Sequence, residues 1–154
     1  VTTVAYDGTT MASDSLASDN WGLRDSQIKI WHNENLLIGY AGEFGHLYAW
    51  RRRLDALDAV QTQTIEHLLD AGYPGYHKDD NNPQILIVNR ADGRAYKLTH
   101  GQFTPINDHK FYSIGSGQDF ARTAMHLGKT AREAIEIAFL FDNNTGGKIL
   151  EVKR

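Results

Sequence analysis

The sequence predicts an α+β protein built from two antiparallel sheets flanked by helix pairs. Three observations carry this. Short β-branched or alternating runs cluster at the front and in the middle of the chain; helical spacing of apolar residues appears in two separate blocks; and the order is strands, helices, strands, helices, strand rather than a βαβα alternation. A doubly wound parallel sheet is therefore disfavoured, and the 154 residues suit one domain spanning 1–154 with a substantial core.

Strand candidates at 2–6 and 10–16 are joined at Asp7-Gly8, a dipeptide suited to a tight hairpin turn. A polar stretch from Ser18 to Ser26 follows, then two runs, Gln27–Trp31 and Leu36–Ala41, that read as a second strand pair. From Phe44 the residues Leu47, Trp50, Leu54 and Leu57 recur at helical spacing, and Ile65, Leu68 and Leu69 suggest a short helix over 64–71. The segment 72–83 is rich in Gly, Pro, Asp and Asn and reads as a loop. Strands resume at 84–90 and 94–100 around an Asp92-Gly93 turn, and again at 111–114 before Gly115-Ser116-Gly117. Helices are expected at about 118–127 and 131–141. Thr130 and Glu133 form a capping-box pattern for the second of these, and Lys148–Val152 supplies a last strand.

Composition excludes several chemistries. The chain has no cysteine, so disulfides, thiolate metal sites and cysteine nucleophiles are out. A net charge of −3 gives no general attraction to nucleic acid or anionic membrane. No apolar run approaches the ~20 residues of a membrane span, and the front of the chain lacks a signal pattern, so a cytoplasmic protein is expected. The seven histidines show no metal-ligand spacing. Asp142–Gly147 begins like a calcium loop but lacks the later acidic ligand. The run Arg51–Arg53 reads first as a solvated helix face, with an intersubunit contact or a docking site for a ring-shaped unfoldase as the alternative.

Four places carry chemistry. The Thr2-Thr3 pair opens the chain behind Val1. A threonine with a free α-amine holds both a nucleophile and a base, because that amine titrates at about 7.7–8.0. Asp14, in a strand of small residues, is awkward without a partner. Lys29 sits between Ile28 and Ile30. Alone it reads as a solvated edge-strand lysine. Paired with Asp14 it would instead hold an ammonium beside the nucleophile, which favours the ionised hydroxyl. Gly42 ends a strand at a strand-to-helix corner, where it supplies backbone freedom or an oxyanion-binding N–H.

The segments Thr-Thr-Val-Ala-Tyr, Ala-Ser-Asp-Ser-Leu-Ala, the Lys29 run leading to Tyr-Ala-Gly-Glu, and Ile-Gly-Ser-Gly followed by Asp-Asn-Asn-Thr-Gly-Gly span nearly the whole chain. In that order they resemble the proteasome β-subunit and HslV family of N-terminal nucleophile (Ntn) hydrolases, in a short bacterial or phage-type form. The resemblance implies a four-layer αββα sandwich. It also implies roles: Thr2 as nucleophile with its own amine as base, Asp14 and Lys29 as the buried acid–lysine pair, and Gly42 as oxyanion donor. Ser116, Asp142 and Thr145 match the group that holds the amine, with threonine replacing the more usual serine at the last position.

Ser18 would bind substrate backbone, and Gln27, Tyr40 and Phe44 would lie around the pocket for the residue preceding the cleaved bond. The implied activity is threonine-type endopeptidase action on unfolded polypeptides, without metal or cofactor. It would take place inside homo-oligomeric rings, with a ring-shaped ATPase unfoldase as a possible partner. Rival readings are an Ntn amidase acting on small amides and a catalytically silent shell subunit. For Thr2 to act, Val1 must be absent from the active protein, either as a start codon read as methionine or by removal.

Overall fold

A computed structural model describes residues 2–18, 24–55, 83–99, 102–106 and 110–154. Its first strand, β1 (Thr3–Tyr6), returns through the Asp7-Gly8 turn as β2 (Thr10–Ser13). The turn is held by Asp7, whose Oδ1 accepts from the N–H groups of Thr9 and Thr10 and from the Thr9 hydroxyl. A short hairpin follows, β3 (Leu16–Ser18) with β4 (Arg24–Ser26), occupying part of what reads in sequence as a polar stretch. Next come β5 (Ile30–His32), β6 (Leu36–Ala41) and helix α1 (Phe44–Asp55). After them are β7 (Gln84–Asn89), β8 (Ala95–Thr99), β9 (Gln102–Ile106) and β10 (Tyr112–Gly115). Helices α2 (Gln118–His126) and α3 (Ala131–Phe141) precede the final strand, β11 (Leu150–Lys153).

The strands form a four-stranded sheet in the order β10-β1-β2-β11 and a five-stranded sheet in the order β5-β6-β7-β8-β9. Every pairing in both is antiparallel. Alternation along the strands sorts side chains into three apolar layers. Val4, Tyr6, Met11, Leu37, Leu86, Val88 and Ile114 pack between the sheets. On the outer face of the five-stranded sheet, Ile38, Tyr40, Ile85, Ile87 and Leu98 meet Leu47, Trp50 and Leu54 of α1. On the outer face of the other sheet, Ala5 and Ala12 meet Ala121, Ala124, Met125, Ala134 and Ile135 of α2 and α3. Alanine on both sides of this last interface lets the helices lie close to the sheet. The result is the expected order of layers: helix, sheet, sheet, helix.

The structure differs from the sequence reading in several places. The predicted strand over 10–16 ends at Ser13, because the N–H groups of Ser15 and Leu16 both donate to the Gly146 carbonyl instead of to a strand partner. The predicted strand over 27–31 starts only at Ile30, so strict alternation does not govern Ile28 and Lys29; Ile28 is exposed and Lys29 is buried. Strand β9 was not expected. Its Pro105 argues against a strand in sequence but is tolerated here at the sheet edge. Arg51 is more than a solvated cation: its guanidinium lies over the Trp31 ring and pairs with Asp55, which in turn accepts from the Trp31 indole N–H. The helix expected over 64–71, and all but the last residue of the loop expected over 72–83, lie outside the described residues.

No described helix is long and apolar enough to cross a membrane. The expected capping box is present: the Thr130 hydroxyl accepts from the Glu133 N–H, and the Glu133 carboxylate accepts from the Thr130 N–H. The adjacent Ala131 N–H donates to Asp7, tying the start of α3 to the first hairpin turn. Thr130→Ala should lower unfolding free energy by about 1 kcal/mol, the usual loss for a helix N-cap, measurable by chemical denaturation.

Candidate active site

Two polar networks meet at the amino-terminal end of β1. The first is built on Asp14, which follows β2, and Lys29, which precedes β5. Both are fully buried, with Lys29 Nζ 2.9 Å from Asp14 Oδ1. The lysine also donates to the Leu16 carbonyl at 2.5 Å. Asp14 Oδ1 further accepts from the Thr3 N–H at 3.0 Å, and its Oδ2 accepts from the Gly146 N–H at 3.1 Å. A carboxylate and an ammonium removed from water need this many partners, because desolvation of each ion opposes folding by several kcal/mol. Burial pulls the Lys29 pKa below the ordinary lysine value, and the Asp14 charge and hydrogen bond oppose that shift. Of the two sequence readings of Lys29, the solvated edge-strand lysine is overturned: the side chain crosses between the two sheets to reach Asp14.

The second network is centred on Asp142, just after α3. Its Oδ2 accepts the hydroxyl protons of Ser116 and Thr145, each at 2.5 Å. Burial would raise the Asp142 pKa, but these two hydrogen bonds and one from the Asn144 N–H outweigh it and hold the carboxyl below its usual value. Thr145 Oγ1 lies 2.6 Å from Thr3 Oγ1. The Ser116 N–H donates to the Thr2 carbonyl at 2.8 Å. Thr2 itself is buried, at the mouth of β1.

Glycine makes this meeting possible. Gly115 pairs with Thr3 at a φ of +94°, a left-handed conformation, and a Cβ there would run into the Thr2 carbonyl. A Cβ on Gly117 would occupy the position of Thr3 Oγ1.

Six of the seven residues singled out for chemistry are thus accounted for in these networks or beside them: Thr2, Asp14, Lys29, Ser116, Asp142 and Thr145. Gly42, the seventh, is exposed immediately after β6, and a Cβ there would crowd Pro83 and the Tyr40 hydroxyl. Two residues before it, the Tyr40 N–H donates to the Lys29 carbonyl at 2.9 Å. Of the residues expected around a substrate pocket, Gln27 and Phe44 are half-buried, and Ser18 ends β3. Tyr40 is buried among the α1-facing apolar residues, and its hydroxyl donates to the Glu43 carbonyl. Burial, with the nearby Glu43 charge, raises the Tyr40 pKa.

Sequence reasoning missed the parts played by Thr3, by the Gly146 N–H and by the Leu16 carbonyl. Thr3 was visible as half of a threonine pair; the two backbone groups carry no signal in residue type.

No model of a known protein family matches the sequence, and no curated protein matches it. Solved structures do. The BPH protein of Thiobacillus denitrificans is 18% identical, with a TM-score of 0.74 over 99% of this chain and 96% of its own. The same protein in complex with epoxomicin is 20% identical, also at a TM-score of 0.74, over 99% and 97%. Eukaryotic HslV from Trypanosoma brucei is 16% identical, with a TM-score of 0.71 over 99% of each chain. A Gly-1 mutant of Anbu from Hyphomicrobium sp. strain MC1 is 12% identical, with a TM-score of 0.75 over 100% of this chain and 82% of its own.

Replacing Lys29 by Met keeps the length but leaves the Asp14 carboxylate buried without its cation. The expected loss is about 3–5 kcal/mol of stability, partly recovered in the Asp14→Asn/Lys29→Met double variant. Denaturant unfolding of the three proteins checks this. Asp142 has a lowered pKa, so its contribution is complete above the unfolded aspartate value and disappears as pH falls through the lower folded value. Asp142→Asn should accordingly flatten the acid side of the stability curve. With two antiparallel sheets enclosed by helices and a likeness to these structures over its whole length, the chain has an HslV-like fold.

Proposed function

We propose that this protein is a threonine-type endopeptidase that cleaves unfolded polypeptides by acyl transfer to Thr2. The observation that carries the reading is the convergence of a buried lysine–carboxylate pair and a hydroxyl–carboxylate cluster on Thr3, with the Ser116 N–H of the second bound to the Thr2 carbonyl. An N-terminal nucleophile needs such surroundings: a cation to favour the ionised hydroxyl and acceptors to hold the amine.

In the first step Thr2 Oγ1 attacks the carbonyl carbon of a peptide bond, and its proton passes to the Thr2 α-amine. The carbonyl oxygen gains the negative charge and is received by the Gly42 N–H, a type of donor whose deletion elsewhere costs about 3 kcal/mol of transition-state stabilisation. The α-ammonium then protonates the departing amine as the C–N bond breaks, leaving an ester on Thr2. Water, deprotonated by the same amine, hydrolyses the ester and regenerates the hydroxyl. Lys29 remains an ammonium throughout, kept charged by Asp14. Ser116, Asp142 and Thr145 orient the amine. Ser18, Gln27 and Phe44 contact the substrate, and the buried ring of Tyr40 underlies the pocket, which favours apolar side chains before the cut.

This chemistry requires Thr2 to be the first residue, so the active protein lacks Val1. An HslV-like fold is compatible with assembly into rings that admit only unfolded chains, with a ring-shaped ATPase unfoldase supplying them. The complex of the Thiobacillus denitrificans protein with epoxomicin supplies a probe.

Incubation with epoxomicin should add one inhibitor mass to a chain beginning at Thr2, and Thr2→Ala should abolish both the adduct and cleavage of fluorogenic peptides. Full peptidase activity in a chain that keeps Val1 would refute the amine as base. Amide release from small substrates without peptide cleavage would make it an amidase, and no reaction with any of these would make it a shell subunit.

Activity should rise with pH through about 7.7–8.0 as the amine loses its proton. It should fall again below the ordinary lysine range, because burial depresses the Lys29 pKa against the pull of Asp14. A pH profile of kcat/KM for a fluorogenic peptide reads both limbs.

A further inference from the structure

We infer that Thr3 is the positioning residue that aims the Thr2 nucleophile, by locking together the lysine–carboxylate pair and the hydroxyl–carboxylate cluster. The inference rests on the reading of Thr2 as nucleophile and adds a residue that this reading leaves without a role.

Three polar groups of Thr3 are engaged, in a side chain and backbone with no exposure. Its N–H donates to Asp14 Oδ1 at 3.0 Å, and its carbonyl accepts from the Asp14 N–H at 3.2 Å. Its hydroxyl lies 2.6 Å from that of Thr145. Counting protons gives this last contact a direction. Asp142 is ionised, so it only accepts, and the single hydroxyl proton of Thr145 goes to Asp142 Oδ2. Thr145 must then accept from Thr3. The order is fixed: Thr3 hydroxyl to Thr145 hydroxyl to Asp142 carboxylate, with the Ser116 hydroxyl arriving at the same oxygen.

Two consequences follow. Thr3 cannot stand in for Thr2 as attacker, because its hydroxyl proton is committed to Thr145 and its nitrogen is an amide bound to Asp14. Its side chain and peptide are also clamped separately, the hydroxyl on the helical face by Thr145 and the N–H and carbonyl by Asp14, which sets the backbone direction at the residue next to Thr2, one Cα–Cα step of about 3.8 Å away. Gly117 supports the same arrangement independently, because any side chain there would occupy the space that the Thr3 hydroxyl uses. The geometry of attack is sensitive to displacements of about 1 Å, on the order of a hundredfold in rate, so loss of the clamp should appear in turnover.

The test uses the full assembled protein and a fluorogenic peptide. Thr3→Val keeps the shape of the side chain and removes its hydroxyl. It should lower kcat by about 10–100-fold with KM nearly unchanged, the signature of a lost transition-state arrangement. Thr3→Ser should restore most of the turnover, and Gly117→Ala should reproduce the loss. Wild-type kcat in Thr3→Val overturns the inference. So does a Thr3→Ser variant as slow as Thr3→Val, which would assign the effect to packing of the methyl group, or a change confined to KM.

If Thr3→Val fails to fold, Thr145→Ala cuts the same hydroxyl chain at its middle member, and unchanged turnover there overturns the inference equally. A wild-type protein that neither cleaves peptide nor reacts with epoxomicin refutes the endopeptidase reading instead. In that event a Thr3→Val/Thr145→Val double-mutant cycle in denaturant still reads the hydroxyl link, and additive effects overturn it.

Discussion

The ion pair between Lys29 and Asp14 imposes the strictest demand on this molecule. Neither side chain has any exposure, and their separation is 2.9 Å. Two such charges can stay ionised inside a protein only if further dipoles complete their shells. Those dipoles come from distant parts of the chain: the Thr3 N–H at the start of β1, the Leu16 carbonyl at the start of β3, and the Gly146 N–H after α3. The acid lies at the end of one sheet and the lysine at the approach to the other. Satisfying the pair therefore fixes one end of the sandwich and brings both sheets and the post-α3 loop to the chain's beginning.

The apolar layers and the polar networks are complementary consequences of the same alternation. Along β1, Val4 and Tyr6 face the other sheet, whereas Ala5 faces α2 and α3. Thr3 shares the face of Ala5, so its hydroxyl points to the helical side and reaches Thr145. Helix α3 ends one residue before Asp142, and the turn that follows delivers Thr145 and Gly146 in succession, one to each network. A loop of turn-forming residues thus serves as the junction between a helix end, a strand start and the buried ion pair. Its small residues allow this, as do Gly115 and Gly117, which open space for the Thr2 carbonyl and the Thr3 hydroxyl.

The two carboxylates at this junction have different partners. Asp142 is surrounded by hydroxyl and amide donors that stabilise its ionised form, and it acts as a fixed acceptor at the end of a hydroxyl chain. Asp14 shares its charge with a full cation. One site organises direction through proton placement, and the other supplies charge. The proposed role of Thr2 draws on both, since an attacking oxygen must be ionised easily and the amine beside it must be correctly turned.

Much of this was legible in residue order. Alternating apolar runs, helical spacing and turn dipeptides gave the α+β class and most element positions, because burial on one face leaves a period in the sequence. The capping residues of α3 were readable for the same local reason. Residue types pointed to Thr2, Asp14, Lys29 and Gly42, whereas Ser116, Asp142 and Thr145 were joined to them only by the resemblance to the proteasome β-subunit and HslV family. Local pattern failed where long-range partners override it. Lys29 has the neighbours of a solvated strand lysine, and only the approach of Asp14 across the sandwich buries it. The expected strand over 10–16 stops at Ser13 because the Gly146 carbonyl, more than 130 positions along the chain, captures the next N–H groups. The engagement of Thr3, the direction of its hydroxyl proton and the backbone donors to Asp14 have no signature in residue type. They exist only once tertiary packing brings remote polar groups into hydrogen-bonding distance.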